Sequence, residues 1–368
     1  MAHLSRKVIS IFSLLLPLAS LGLVIYFNSY TIFNKNDYSM VHVTMALQEG
    51  FFTRRFFVGT LLHPFFAWYG YDYDLMHTLS RIGFFLLIIT TFIYLFYSKV
   101  GNRFLFALVL LFMPGSLYYL NSGFTEGWGY FFIAISSWLV SKGSVKYLYL
   151  SFISLAFAYA ASDHSLLFGS VIYLFFAFKC WGWFKVLPLF TVITGVFSYL
   201  LLFGKVRESS ILKVLGKAAD DGVELKFESF SYLTTSLYSL VPVNGQGEVF
   251  TDPGFSRVGQ TALWSSVFSL VLLIVYLLGK SGLINLLFSL LFVWSPFPLA
   301  IMAYDWGRWQ GMIFLNSFLA LGVLQQGLTS RKLITSRVLY FIAVLVLSFG
   351  SNNFSFFNSE IFRIVGVV

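Results

Sequence analysis

The fold class is decided by long apolar stretches such as residues 185–204, KVLPLFTVITGVFSYLLLFG. After Lys185 this stretch contains no charged side chain, and a helix needs roughly 20 mostly apolar residues to cross a bilayer. The whole composition agrees, because 58% of the residues are hydrophobic, 11% are charged and the mean hydropathy is +0.82. Water-soluble domains do not have this balance. The sequence therefore predicts an all-α, polytopic bundle of transmembrane helices.

Hydropathy predicts about eleven spans, each close to the length that a bilayer requires. The expected spans are 8–28, 81–98, 104–120, 125–140, 146–162, 164–179, 185–204, 262–279, 282–302, 308–327 and 336–350. The first follows Arg6 and Lys7 as a signal peptide would, but it is long enough to span and lacks a convincing cleavage site. We interpret it as an uncleaved anchor.

Two segments between the spans are too long and too polar to be turns, residues 29–80 and 205–261. The other connections are tight, and the chain has no internal repeat or low-complexity run. A single membrane domain, residues 1–368, is the simplest description. A transporter built from two inverted repeats is correspondingly disfavoured.

The basic residues orient the bundle, because Lys and Arg in short loops stay cytoplasmic. A cytoplasmic N-terminus places these residues inside: Arg6, Lys7, Lys99, Arg103, Lys142, Lys146, Lys179, Lys185, Lys280, Arg331, Lys332 and Arg337. All 15 Asp and Glu then fall on the outer side. The net charge of +9 thus indicates anionic lipid headgroups as partners and not nucleic acid.

The first long segment, residues 29–80, contains an acid followed by a basic, aromatic-rich stretch. Asp37 comes first, and residues 51–69 then combine many aromatic side chains with Arg54, Arg55 and Pro64. This stretch predicts a helix lying in the membrane interface better than a span. Two adjacent guanidinium groups there suit a lipid-linked phosphate.

Further ionisable residues stand at predicted outer helix ends. Glu126 opens the helix of residues 125–140, where Thr125 or Ser122 is expected to act as the N-cap. Asp163 and His164 lie in a short outer hairpin. Such groups are costly beside hydrocarbon unless they pair or face water, which favours one clustered site. The alternative is that each only marks a helix end, where the helix dipole favours a carboxylate such as Glu126.

The densest polar and aromatic cluster is residues 303–311, AYDWGRWQG. Asp305 and Arg308 are three residues apart and can pair on one helical turn, while Trp306 and Trp309 are typical of a membrane interface. Pairing and anchoring explain the motif without any chemistry. It nevertheless places a third arginine on the predicted outer side.

The order of these parts resembles the GT-C superfamily of membrane glycosyltransferases, which take sugars from polyprenyl-phosphate carriers. The resemblance rests on Asp37 in the first outer segment, the stretch around Arg54 and Arg55, and Thr125-Glu126. It continues through the inner turn from Lys142 to Lys146, Ser162-Asp163-His164, and Arg308 in Asp-Trp-Gly-Arg-Trp. The chain departs from the family in having one acid where a pair is usual, in lacking Arg-Pro near residues 161–165, and in having no separate soluble domain.

The resemblance implies an enzyme whose donor already carries a phosphate leaving group. Asp37 would be the catalytic base, with Glu126, Asp163 and His164 binding hydroxyls or serving as an alternative base. Arg54, Arg55 and Arg308 would bind the donor phosphate. The supporting residues would be His63, Asp305, Trp306 and Trp309. A divalent metal is not indicated, because no ligand set has a diagnostic spacing.

The sequence leaves two other functions open. An O-antigen or capsule repeat-unit polymerase also works on lipid-linked glycans at the outer face. A transporter or flippase for lipid-linked sugars also needs a wet, charged cavity, although the apolar centres of these helices disfavour it. The expected partners are membrane lipids, a polyprenyl-phosphate-linked donor and a glycan acceptor. The expected location is a bacterial inner membrane with a periplasmic active face.

Overall fold

The computed structural model of the chain describes residues 37–51, 55–83, 85–86, 125–162, 164–231, 233–234, 262, 265–274, 276–277, 282–298, 312–313, 316–317 and 320. Within these residues the chain is helical and contains no strand. The helices are α1 (Asp37–Thr44), α2 (Phe56–Tyr69), α3 (Tyr73–Ser80), α4 (Glu126–Val140), α5 (Val145–Ala161), α6 (Ser165–Trp181), α7 (Trp183–Phe203), α8 (Glu208–Asp220), α9 (Glu228–Ser231), α10 (Ser265–Ile274) and α11 (Leu283–Trp294). A short 3-10 turn, Leu47–Glu49, follows α1. The all-helical prediction is confirmed for these residues.

One helix of the described chain, α7, is long and apolar enough to cross a membrane. It has 21 residues, and only 17% of its most apolar window is buried inside the protein. An apolar helix with so much uncovered surface fits an apolar surrounding better than water. Shorter apolar helices accompany it, namely α5, α6, α10, α11 and most of α4. The predicted spans 8–28, 104–120 and 336–350, most of 81–98 and nearly all of 308–327 lie outside the described residues.

Helices α4, α5 and α6 form a layer that is held by side-chain to backbone hydrogen bonds. The Ser136 hydroxyl donates to the Ser151 carbonyl (2.7 Å), and the Ser154 hydroxyl donates to the Phe132 carbonyl (2.8 Å). These bonds join α4 to α5. Such bonds give polar atoms the hydrogen-bond partners that an apolar surrounding does not supply.

The end of this layer that contains the C-termini of α4 and α6 is basic. The Trp181 indole at the end of α6 donates to the Val140 carbonyl at the end of α4 (3.0 Å), so the two helix ends meet. The exposed ammonium groups of Lys142 and Lys185 lie over the Trp138 and Trp181 rings, 4.5 and 5.6 Å from their centres. Four exposed lysines thus share one end of the layer, Lys142, Lys146, Lys179 and Lys185.

The two long polar segments are not independent loops. The described residues of 37–80 and 205–234 pack around one apolar core, and we name them the cap unit. Met40, Val58 and Phe66 from the first segment meet Ile211, Val214 and Phe230 from the second. The Tyr71 amide also donates to Asp221 Oδ2 (2.7 Å), although 150 residues separate the two in sequence. The core of the cap unit therefore takes its residues from both segments.

The cap unit rests on α4 and α5 through α2. Phe57 of α2 stacks on Phe157 of α5, with ring centres 4.9 Å apart, and meets the edge of Phe132 of α4 at 5.5 Å. Leu61, Phe65 and Trp68, which follow Phe57 on the same face of α2, are exposed, as is Tyr69. The other face, with Val58, Leu62 and Phe66, is buried in the core of the cap unit. The predicted helix within residues 51–69 is therefore present from Phe56 onward, with apolar residues on both sides.

Candidate functional site

Arg55, at the start of α2, has an unusual backbone conformation. Its φ of 64° and ψ of 19° lie in the left-handed region, and only 6% of the residue is exposed. A side chain with a Cβ pays about 1–2 kcal/mol for this conformation, so the surrounding structure must hold it there. Strain of this kind concentrates at functional sites, and Arg55 is the predicted phosphate-binding arginine that lies within the described residues.

The Arg55 guanidinium is directed at the turn between α5 and α6. Its Nη2 lies 3.3 Å from Nε2 of His164, and both residues are buried. Arginine has no acceptor, so Arg55 donates and His164 Nε2 accepts as the unprotonated ring nitrogen. The structure thereby brings together two predicted site residues that are 109 positions apart.

Three buried hydroxyl groups lie at the same ends of α4, α5 and α6. Ser162 and Ser165 flank the turn that carries His164, and Thr125 immediately precedes α4. Each is at most 2% exposed, and no described atom forms a hydrogen bond with its hydroxyl. Thr125 occupies the position predicted for a helix cap, but its hydroxyl makes no capping bond, so that part of the prediction is wrong.

A glycine on α4 leaves space for the Ser165 hydroxyl. A Cβ atom placed on Gly129 would lie 2.1 Å from the Ser165 hydroxyl and 3.3 Å from Ser162 Cβ. The Gly129 amide in turn donates to the Thr125 carbonyl (3.3 Å), one helical turn earlier. The α5–α6 turn therefore packs directly against the first turns of α4. We name Arg55, Thr125, Ser162, His164 and Ser165 the turn site.

The turn site has the chemistry of an oxyanion site. A guanidinium and several hydroxyls are hydrogen-bond donors suited to phosphate or carboxylate oxygens. The site also lies at the N-terminus of α6, where the helix dipole contributes a partial positive charge. Because the group is buried, water competes little with a bound anion.

A second buried cluster joins the two halves of the cap unit, and we name it the Glu49 cluster. Glu49 is only 4% exposed and accepts hydrogen bonds from His63 Nε2 (3.2 Å) and Lys217 at Oε1, with Lys213 Nζ 2.9 Å from Oε2. Burial alone would raise the pKa of Glu49, but the bonds from Lys217, Lys213 and His63 lower it from its ordinary value near 4.5 to about 2. At neutral pH this carboxylate is a weak base.

The surroundings of Glu49 fit a structural role. Burial raises the pKa of the neighbouring Tyr71 to about 12, with the negative charges of Glu49 and Asp221 adding to the effect. His63, expected to support the phosphate site, is bound to Glu49. We therefore assign a structural role to the Glu49 cluster, whose ion pairs connect the two segments of the cap unit, and treat the turn site as the candidate functional site.

The other predicted site residues are only partly described. Asp37 begins α1 and Glu126 begins α4, so both stand at helix N-termini, but their side chains lie outside the described part of the chain. Six predicted residues lie outside it altogether, namely Arg54, Asp163, Asp305, Trp306, Arg308 and Trp309. Within the residues described, no three His, Cys, Asp or Glu side chains are placed to hold a metal ion.

Sequence reasoning missed part of this site. Lys213 and Lys217 are four apart on α8, a spacing that places both on one helix face and signals a shared partner. Nothing comparable marks Ser162 and Ser165, because serines are common at helix ends. No family model, no curated protein and no solved structure matches the chain.

Proposed function

We propose that this chain is a multi-pass membrane glycosyltransferase that takes a sugar from a polyprenyl-phosphate-linked donor. The proposal is carried by the buried, strained Arg55 beside His164 at the turn site. A guanidinium that is held at a backbone cost and contacts a turn with buried serines, at a helix N-terminus, suits an anionic leaving group better than a structural contact. Its acceptor is a lipid-linked or cell-surface glycan.

The reaction is assigned to the outer, non-cytoplasmic face. Its support is the separation of charge along the helix layer, because the four exposed lysines Lys142, Lys146, Lys179 and Lys185 lie at the end opposite the turn site. Lysines of this kind remain cytoplasmic. The turn site and the cap unit then face the periplasm of a bacterial inner membrane.

The proposed chemistry is a single displacement at the anomeric carbon. Asp37 takes the proton from the acceptor hydroxyl as its oxygen forms a bond to that carbon. The bond from the carbon to the donor phosphate breaks, and the electron pair leaves with the phosphate. Arg55, with Arg54 and Arg308, stabilises the charge that develops on the leaving oxygen. Asp37 is preferred as base over Glu49, whose pKa of about 2 makes it a poor proton acceptor.

The proposal is tested by the mass-resolved profile of lipid-linked and surface glycans in cells lacking the chain. Complementation uses the wild type, Asp37→Asn, Arg55→Ala and, as the control, Arg207→Ala, an exposed arginine of the same cap unit. We expect glycans one sugar short in the deletion strain. Arg207→Ala should restore them, and neither site variant should, at equal protein level.

Other outcomes separate the alternatives. Accumulation of single repeat units would identify a polymerase, and an unchanged profile in the deletion strain would favour a transporter. Normal glycans with Asp37→Asn would remove that residue as the base. A cysteine at position 38 that is labelled only from the cytoplasm would reverse the assigned faces.

A further inference from the structure

We infer that the turn site binds a phosphoryl group through the hydroxyls of Ser162 and Ser165 together with the Arg55 guanidinium. The inference rests on the proposed function only for the source of that phosphate, a polyprenyl phosphate. It adds to that function two uncharged residues, Ser165 and the Ser162 of the Ser162-Asp163-His164 motif, to which the sequence assigns no role of their own.

The first argument is that both hydroxyls of one turn lack a hydrogen-bond partner, whereas the other buried serines of these helices, Ser137 excepted, have one. In the same helices the Ser136, Ser151, Ser154 and Ser170 hydroxyls each donate to a backbone carbonyl. Ser162 and Ser165 are both fully buried, and neither hydroxyl has a partner among the described residues. A buried hydroxyl without a partner costs about 1–3 kcal/mol, so a pair of them at one turn calls for an explanation.

The second argument is where the two hydroxyls lie. A serine within a helix commonly bonds to the carbonyl four residues earlier, as Ser170 does with Leu166. Ser165 begins α6, so it has no preceding turn of its own helix, and the Ser162 carbonyl already accepts the Ser165 amide (3.0 Å). Its hydroxyl instead occupies the space left open by Gly129. It therefore remains a donor at the positive end of the helix dipole.

The third argument is the charge beside the turn. Arg55 reaches His164, which lies between the two serines in sequence, with a separation of 3.3 Å between the nitrogen atoms. A phosphoryl group offers several acceptor oxygens at one point, which suits a guanidinium donor at this turn together with the serine hydroxyls.

The test is ligand-induced stabilisation of the purified, full-length chain in detergent. Three probes separate the contributions: inorganic phosphate supplies the anion alone, farnesol the apolar chain alone, and farnesyl monophosphate both. The double variant Ser162→Ala, Ser165→Ala is compared with Ser137→Ala. Ser137 is also buried without a hydroxyl partner, but it lies in the other half of α4. Each probe is titrated against the melting temperature.

We expect farnesyl monophosphate to stabilise the wild type and Ser137→Ala equally. The double variant should bind it at least tenfold more weakly, because two hydrogen bonds to a charged group are lost. Without ligand the double variant should be as stable as the wild type or more so, since the removed hydroxyls have no partner there. If the serine pair had a purely structural role, the double variant would instead have a lower melting temperature than the wild type.

Three results would overturn the inference. The double variant could bind farnesyl monophosphate as tightly as the wild type, or it could lose affinity for farnesol to the same extent. The third is that neither inorganic phosphate nor farnesyl monophosphate raises the melting temperature of the wild type. A serine-dependent response to inorganic phosphate alone would support the site but assign it to free phosphate. The glycan profile is independent of this assay. Serine-dependent phosphate binding with unchanged glycans would therefore refute the glycosyltransferase and leave the phosphate site standing.

Discussion

The Glu49 cluster and the turn site are both buried and polar, but their hydrogen bonding differs. Glu49 accepts a bond from His63 of its own segment and forms ion pairs with Lys213 and Lys217 of the other segment. At the turn site, Thr125, Ser162 and Ser165 keep hydroxyls without a described partner beside a strained arginine. The first arrangement has its charges paired within the protein, whereas the second keeps hydroxyl donors that the proposed phosphate would occupy. Substitutions in the first should change stability, and those in the second should change activity.

The largest effect is expected at Arg55. Arg55→Ala and Arg55→Gly should both lower sugar transfer by about a hundredfold or more, because a buried charged donor to the leaving group is lost. Glycine adopts a φ of 64° without strain, so Arg55→Gly should be about 1 kcal/mol more stable than Arg55→Ala. Transfer assays and melting temperatures measure the two effects. If Arg207→Ala reduced transfer as much as Arg55→Ala, the special role of Arg55 would be lost.

Two glycines provide the next comparison. A Cβ on Gly59 would lie 2.3 Å from the Met45 carbonyl oxygen, so Gly59→Ala should destabilise the cap unit by about 1–3 kcal/mol. On Gly129 the Cβ would lie 2.1 Å from the Ser165 hydroxyl and 3.3 Å from Ser162 Cβ, so Gly129→Ala should displace the two serines and weaken phosphate binding more than stability. Gly216→Ala is the control, with open space around its Cβ. Equal melting temperatures for Gly59→Ala and Gly216→Ala would contradict the packing.

The smallest effect is expected at Glu49, because Lys213 and Lys217 are about half exposed and can be solvated by water. Glu49→Gln should cost about 1–2 kcal/mol of stability while transfer per folded molecule is retained. Since folding lowers the pKa of Glu49 to about 2, its contribution is full above pH 4.5 and disappears as the pH falls toward 2.

The pH dependence gives the decisive measurement for that cluster. The difference in melting temperature between the wild type and Glu49→Gln should shrink steadily between pH 4.5 and the lowest pH at which the protein folds. Glu224→Gln, which changes an exposed acid of the same cap unit, should show no such trend. A constant difference over that range would mean that the charge of Glu49 does not stabilise the cap unit.

Much of the helical layer was predictable because apolar runs in the sequence are long and uninterrupted. The expected segments 125–140, 146–162, 164–179 and 185–204 correspond to α4, α5, α6 and α7 within a few residues. Gly182 and the polar turn residues end each run clearly. Crossing of a membrane is a stronger statement, and among the described helices the length criterion is met by α7.

The cap unit was not predictable, because its core depends on contacts between distant segments. Hydropathy identified residues 29–80 and 205–261 as polar, yet Met40, Val58, Ile211 and Phe230 are buried together. Local sequence reports composition and periodicity, and neither specifies which segment packs on which. The same limit applies to the site: Arg55 and His164 were both selected for their charge, but their contact follows from tertiary packing.

The long separation between the halves of the cap unit also constrains how the protein is made. During synthesis Glu49 cannot contact Lys217 until a further 168 residues have been added to the chain. At a synthesis rate of about 5–20 residues per second, the first half remains without its partner for on the order of ten seconds. Throughout that interval Met40, Val58 and Phe66 have no completed core. A chain interrupted before residue 205 never acquires one, so such fragments become targets for quality control by proteases.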